Sequence, residues 1–112
     1  MKQSDPEISQ NTPLSEQYRV KAKKWVQADS AASLLEECKS AFLSQKMTAL
    51  GEMPVSRAEM MVKASPDWEE YVTKMVKARE AANLLKVNLE YIRMRSMEWQ
   101  SHEASKRVEA RL

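Results

Sequence analysis

The sequence contains one glycine, one cysteine and one histidine among its 112 residues, and it has no long run of apolar residues. A single cysteine excludes an intramolecular disulfide and a multi-cysteine zinc site, and it is typical of a reducing compartment. No apolar stretch approaches the roughly 18 residues of a membrane span. Residues 1–6 lack the apolar region of a signal peptide. We therefore expect a cytoplasmic protein that has no membrane partner.

Side chains suited to catalysis are also scarce. His102 lies among small and acidic neighbours near the C-terminus, and a solvated helix residue explains it better than a proton-transfer role. Cys38 is at helical spacing from Leu35 and Phe42, which indicates a packed thiol rather than a nucleophile. The sequence has no phosphate-binding loop, no HExxH pattern and no spaced set of Cys and His ligands. We therefore expect neither an enzyme nor a cofactor or metal site.

The stretch from Pro66 to Leu112 contains no further proline and no glycine. Ser65 suits the N-cap of a helix and Pro66 its first position. Apolar or small residues then recur at alternating steps of four and three, which predicts a helix about 70 Å long that packs along another helix. The members of this stripe are Tyr71, Met75, Ala78, Ala82, Leu85, Leu89, Ile92, Ser96 and Trp99. We expect Leu85, Leu89 and Ile92 to be buried.

A first helix is predicted from about Pro13 to Leu50, because Thr12-Pro13 repeats the cap-then-proline pattern and Gly51 suits a left-handed helix end. The sequence Ser56-Arg57-Ala58-Glu59 forms a capping box, which predicts a short helix ending near Ala64. Residues 1–12 are polar and predict a disordered tail. Residues 13–112 are expected to form a single domain.

These elements predict an all-α fold, a long antiparallel helical hairpin resembling a coiled coil, with a short capped helix in the connection. If Leu50 lies opposite Pro66, Trp25 lies near Tyr91 and Ile92, and Tyr18 lies near Trp99. Several apolar residues would then remain outside the buried stripe, which predicts self-association into a helical bundle, a homo-oligomer. These residues are Leu34, Leu43, Leu84, Val87 and Met94.

The charge pattern indicates a binding surface at the open end of this hairpin. Basic side chains beside aromatic rings are typical of single-stranded nucleic-acid sites, in which the charges contact phosphates and the rings contact bases. The alternative is that the rings are core residues and the charges form a solvated face balanced by nearby glutamates. The candidate nucleic-acid or partner-binding residues are Arg19, Lys21, Lys23, Lys24, Arg93, Arg95, Trp99, Lys106, Arg107 and Arg111.

The segments from Ala78 to Glu90, at Trp99-Gln100 and from Ala104 to Leu112 resemble the C-terminal halves of small helical proteins encoded by phages and prophages. More distantly they resemble phage recombination mediator proteins, which help to load a recombinase onto single-stranded DNA. The resemblance implies a non-enzymatic accessory role in DNA recombination or replication, through single-stranded DNA, a recombination protein, or both. It also implies that the protein acts in the cytoplasm of a bacterial host cell. Two alternatives are a phage protein that inhibits a host defence or regulatory protein by surface binding, and a structural assembly coiled coil.

Overall fold

The computed structural model describes residues 11–112, and within this range the chain forms four helices and no strand. The helices are α1 (Leu14–Glu37), α2 (Lys39–Ala49), α3 (Val55–Lys63) and α4 (Pro66–Arg111). The prediction of an all-α fold is confirmed. Of the predicted tail, residues 1–10 lie outside the described range, whereas the carbonyl of Thr12 accepts a hydrogen bond from Gln17 Nε2 at 2.8 Å.

Two of the predicted helix signals act as expected and one does not. Gly51 has a φ of 86°, the left-handed conformation that ends the helical path after α2. Ser65 Oγ accepts a hydrogen bond from the Trp68 N–H at 3.3 Å and so caps α4. The capping box predicted from Ser56 to Glu59 is wrong. Helix α3 begins at Val55, after Pro54, and no side chain among the described residues caps it.

The predicted first helix is interrupted at Cys38, where ψ is −3°. The hydroxyl of Tyr71 donates a hydrogen bond to the carbonyl of Leu35 at 2.5 Å. A side-chain donor at a helix carbonyl competes with the backbone N–H four residues later, and such competition is a known cause of helix irregularity. We attribute the break between α1 and α2 to this hydrogen bond. Cys38 is exposed, so the expectation of a packed thiol is wrong.

The chain divides into two compact units, each described by itself. We call residues 11–26 and 83–112 the terminal unit, and residues 27–82 the central unit. Helices α1 and α4 each contribute residues to both units. The prediction of one domain over residues 13–112 stays a prediction.

In the central unit α4 runs antiparallel to the chain segment formed by α1 and α2. Lys46 Nζ lies 2.9 Å from Asp67 Oδ2, and later residues of α4 contact progressively earlier residues of the partner segment. Arg79 contacts three side chains of α1, at distances of 2.6 Å to Asp29, 3.1 Å to Ser33 and 2.9 Å to Glu36. The buried residues of this unit are small: Ala32, Ala58, Val62 and Ala82.

The terminal unit is also an antiparallel pair, formed by the first part of α1 and the last part of α4. Its buried residues are Val20, Leu89 and Ile92, whereas Leu85 is only half-buried. Tyr18 lines a groove with Ile92 and Ser96. Ser96 and Ile92 precede Trp99 by three and seven residues, so the partners of Tyr18 lie nearer the start of α4 than the predicted pairing with Trp99. The predicted pairing of Trp25 with Tyr91 and Ile92 stays a prediction.

The residues predicted to remain outside the buried stripe mostly do so. Leu34, Leu84, Val87 and Met94 are exposed, and Leu43 is half-buried. Exposure of this kind is compatible with the predicted self-association, which stays a prediction.

Leu89→Asp tests the buried stripe of the terminal unit. Because Leu89 is 7 % exposed, the substitution buries a carboxylate among apolar groups, and we expect it to lower the free energy of unfolding by about 3–5 kcal/mol. The matched control is Leu34→Asp, because Leu34 is 63 % exposed and should lose less than about 1 kcal/mol. Denaturant unfolding checks both, and equal losses would contradict the packing.

Glu36→Gln tests the contact between Arg79 and α1. The hydrogen bond from Arg79, together with its positive charge, lowers the pKa of Glu36. A carboxyl with a lowered pKa stabilises the fold above its unfolded-state pKa, and this contribution is lost as the pH falls through the folded-state value. Wild type should therefore be more stable than Glu36→Gln at pH 7, and the difference should begin to shrink as the pH falls below about 4 and should disappear only below the lowered folded-state pKa of Glu36. Glu37→Gln removes the same charge and keeps every Arg79 contact, so its stability difference should not show this pH dependence in thermal unfolding.

Candidate nucleic-acid interface

All ten candidate residues for nucleic-acid or partner binding belong to the terminal unit. Lys21 and Lys24 are half-buried, and the other eight are exposed. Because α1 and α4 pair antiparallel here, the basic residues of α1 lie along the same stretch of the unit as the earlier basic residues of α4. Lys106, Arg107 and Arg111 continue along α4 beyond the groove that Leu14 lines with Ser96.

The positive charge of the chain is concentrated in the terminal unit. Its described residues include ten Lys or Arg and five Asp or Glu, a formal excess of five positive charges. The central unit has seven basic and nine acidic residues, a formal charge of −2. The overall charge of +2 therefore conceals a separation of charge between two parts of the sequence. Such a separation is a recognised electrostatic footprint of nucleic-acid binding.

Several of these basic side chains form ion pairs within their own helix. Arg19 lies 2.5 Å from Glu16, Arg93 lies 3.4 Å from Glu90, and Lys106 lies 3.9 Å from Glu103. The hydrogen bonds from Arg19 lower the pKa of Glu16. The side chains of these pairs are 32–65 % exposed, and solvent-accessible pairs at this spacing contribute less than about 1 kcal/mol each. A phosphate can therefore displace their glutamates at little cost.

An exposed indole accompanies this charge. Trp99 is 61 % exposed and lines a groove of about 310 Å³ with Leu14, Arg95, Glu98 and His102. The groove combines an aromatic face, a guanidinium group and an imidazole, all of which can contact a nucleobase. Trp25 is half-buried and belongs to the packed side of α1. The two tryptophans therefore differ in role: Trp99 is available to a ligand and Trp25 is largely a packing residue.

A second aromatic cluster, which the sequence patterns did not indicate, lies in the central unit. The ring of Phe42 stacks on that of Tyr71, with centroids 4.4 Å apart, and lies 6.3 Å from that of Trp68. Lys39 and Lys46 lie over the rings of Trp68 and Phe42, each at 5.6 Å. Burial raises the pKa of Tyr71, whose hydroxyl also donates to Leu35. These rings contact one another, so their role is structural.

Other kinds of site find no support in the part of the chain that the structure describes. Residues 11–112 contain no group of three or more His, Cys, Asp or Glu side chains arranged to hold a metal ion. His102 is exposed in the Trp99 groove. None of the helices in this range combines the length and the apolar character that crossing a membrane requires.

In comparisons with known proteins, no family model, no curated protein and no solved structure matches this chain. The resemblance to phage-encoded helical proteins and recombination mediators therefore stays an expectation from the sequence. A function for this protein is therefore inferred from the positive charge and the aromatic groove of the terminal unit.

The two tryptophans provide a stability test of their assigned roles. Trp25→Ala removes a half-buried indole and should lower the free energy of unfolding by about 2–3 kcal/mol. Trp99→Ala removes an exposed indole and should change it by about 0.5 kcal/mol or less. Denaturant unfolding measures both free energies. It is monitored by circular dichroism, since each variant lacks a tryptophan and a fluorescence signal would not be comparable with that of wild type. A large loss of stability in Trp99→Ala would assign Trp99 to the core and remove the aromatic part of the interface.

Proposed function

We propose that this protein binds single-stranded DNA through the terminal unit, and that it acts without catalysis as an accessory to DNA recombination or replication. The observation that carries the proposal is the concentration of positive charge in this unit beside the exposed Trp99. The phage setting and the link to recombination rest on the sequence resemblance alone.

The two kinds of side chain have different tasks in this proposal. The Lys and Arg side chains contact phosphates, and each phosphate contact releases bound counterions from the nucleic acid. Trp99 stacks on a base, an interaction that tolerates any sequence because every base has a flat aromatic face. Arg95 lines the same groove and can bind the adjacent phosphate or stack on a base. We therefore expect this protein to bind single-stranded DNA with little sequence preference and with an affinity that falls strongly as the salt concentration rises.

A salt series with matched variants tests this assignment. Four exposed basic residues of the terminal unit, Lys23, Lys106, Arg107 and Arg111, are replaced together by Ala. The matched control replaces four exposed basic residues of the central unit, Arg57, Lys63, Lys74 and Lys77. Both variants lose four charges, so a difference between them reports where the DNA binds rather than the net charge.

We expect the terminal-unit variant to bind a labelled single-stranded oligonucleotide more weakly than wild type. The slope of log K against log salt concentration should also become less negative, by about 0.7 for each phosphate that the variant no longer neutralises. Trp99→Ala should weaken binding by roughly 1–3 kcal/mol if one base stacks on the indole. The central-unit control should behave as wild type apart from a small general effect. Fluorescence anisotropy measures these quantities. Equal losses in the two quadruple variants, or no binding by wild type at low salt, would contradict the proposal.

A protein partner is the second candidate function, and a specific observation on α3 favours it. Val55 and Met60 are 71 % and 67 % exposed, and Met61 is also exposed. Methionine side chains are flexible and polarisable, so they suit surfaces that bind other proteins. Such a partner would be a recombination protein or a host protein that the chain inhibits. This candidate becomes the better one if wild type fails to bind DNA.

A further inference from the structure

The outward face of α4 in the terminal unit carries an apolar stripe that stays exposed within residues 11–112. Its four residues are separated by three, four and three positions, so that they lie in one row on a helix with 3.6 residues per turn. This row faces away from the side of α4 that contains the buried Leu89 and Ile92. The four residues, all about 60 % exposed, are Leu84, Val87, Tyr91 and Met94.

This spacing is that of the contact positions of a coiled coil. Leu84 and Tyr91 occupy the first contact position of successive heptads, and Val87 and Met94 the second. Glu80 and Glu98 take the next contact positions on either side, so the apolar row is confined to about 15 Å of helix. Because the row can pack against an identical row, a second copy of the chain can cover it.

The charged residues beside the row specify the direction of such a pairing. Glu90 and Arg95 occupy the two positions that flank the contact row of a heptad coiled coil. In a parallel pair, Glu90 of one chain lies beside Arg95 of the other. Because the pair is symmetric, this attractive contact occurs twice. In an antiparallel pair centred on the row, the two copies of Glu90 face each other and repel.

The structure already holds Arg95 close to this row. Its guanidinium carbon lies 5.8 Å from the centroid of the Tyr91 ring, so the charge stands at the edge of the apolar surface. Glu90 is 3.4 Å from Arg93 of its own helix, and both side chains are exposed. A pair of this kind is weak and does not prevent Glu90 from contacting a second chain.

We propose that two copies of this chain associate in parallel through the row Leu84, Val87, Tyr91 and Met94, with Glu90 of each copy beside Arg95 of the other. Helix α4 is folded before association, so the association does not have to order it. The parallel arrangement places Lys106, Arg107 and Arg111 of both copies at the same end. Two basic surfaces then lie side by side along a ligand. The proposal does not depend on what that ligand is.

Sedimentation equilibrium on the full chain, from about 1 μM to about 1 mM, tests the apolar row. Wild type should associate reversibly, and Val87→Lys should weaken association about tenfold or more, because it brings two charges into an apolar contact. Val55→Lys is the matched control, since it makes the same change at a valine that is also exposed and lies outside the row. Circular dichroism of each variant should be unchanged, because both valines are solvent-exposed.

Sign reversals test the direction. In the parallel pair, Glu90→Lys and Arg95→Glu each place like charges together and weaken association about three- to tenfold, and the double variant recovers most of the loss. In an antiparallel pair, Glu90 faces its own copy and Arg95 faces no acid, so neither single variant changes association.

A monomeric wild type, or equal association of Val87→Lys and Val55→Lys, would overturn the proposed interface. Loss of association in Val87→Lys without any effect of the two single charge reversals would overturn the parallel arrangement. Recovery in the double variant supports it.

Discussion

The width of the buried stripe is the constraint on which the rest of this structure depends. Two paired helices cover only one face of each other, and each unit of the chain is built on such a pair. Only seven residues of the described chain are buried and apolar, and three of them are alanines. Apolar burial therefore stabilises these units less than it stabilises a multilayered domain of the same size.

Polar contacts across the helices compensate in part and also specify the register. Arg79 contacts Asp29, Ser33 and Glu36, three residues that share one side of α1. A slide of either helix by one turn would break these contacts together. The hydrogen bond from Tyr71 to Leu35 has the same effect, and it also explains why the path of the first predicted helix is interrupted at Cys38.

A narrow interior also leaves large apolar and charged surfaces outside it. In the terminal unit these surfaces separate around α4: one side is packed on α1, and the opposite side presents Leu84, Val87, Tyr91 and Met94. Between them lie Arg95, Trp99 and His102. In such an arrangement one side of the helix assembles copies and the neighbouring side binds a ligand. Assembly would then double the positive charge that a nucleic acid meets, without any further basic residue in the sequence.

The sequence was a good guide to the helices and a poor guide to how they align. Pro66, Ser65 and Gly51 act through local backbone geometry, so their effect on helix ends could be read directly. The alignment of Tyr18 with Ile92 could not be read from the sequence, because it depends on the geometry of the connection between the helices and on contacts between residues far apart in the chain.

The same limit applies to the interruption at Cys38 and to the rings around Phe42. Both are produced by partners about 30 residues away, and no local pattern records them. For the candidate interface, the basic residues and Trp99 were recognised because charge and aromatic character are properties of the residue type. The predicted hairpin already grouped the basic residues of the first part of α1 with those of the last part of α4. The structure adds the size of the effect, a formal excess of five positive charges in the described part of the terminal unit.

The central claim is that the outward face of α4 in the terminal unit pairs with the same face of a second copy in the same direction. A distance between two spin labels tests it most directly, with one label attached at Ser101→Cys in a Cys38→Ser background. Ser101 is exposed and continues the contact row beyond Met94. Parallel pairing predicts a separation of about 20 Å or less between the two labels, whereas antiparallel pairing about the row predicts roughly 35 Å or more, given a rise of about 1.5 Å per residue. The longer distance, or no intermolecular coupling at concentrations where the protein associates, would contradict the account.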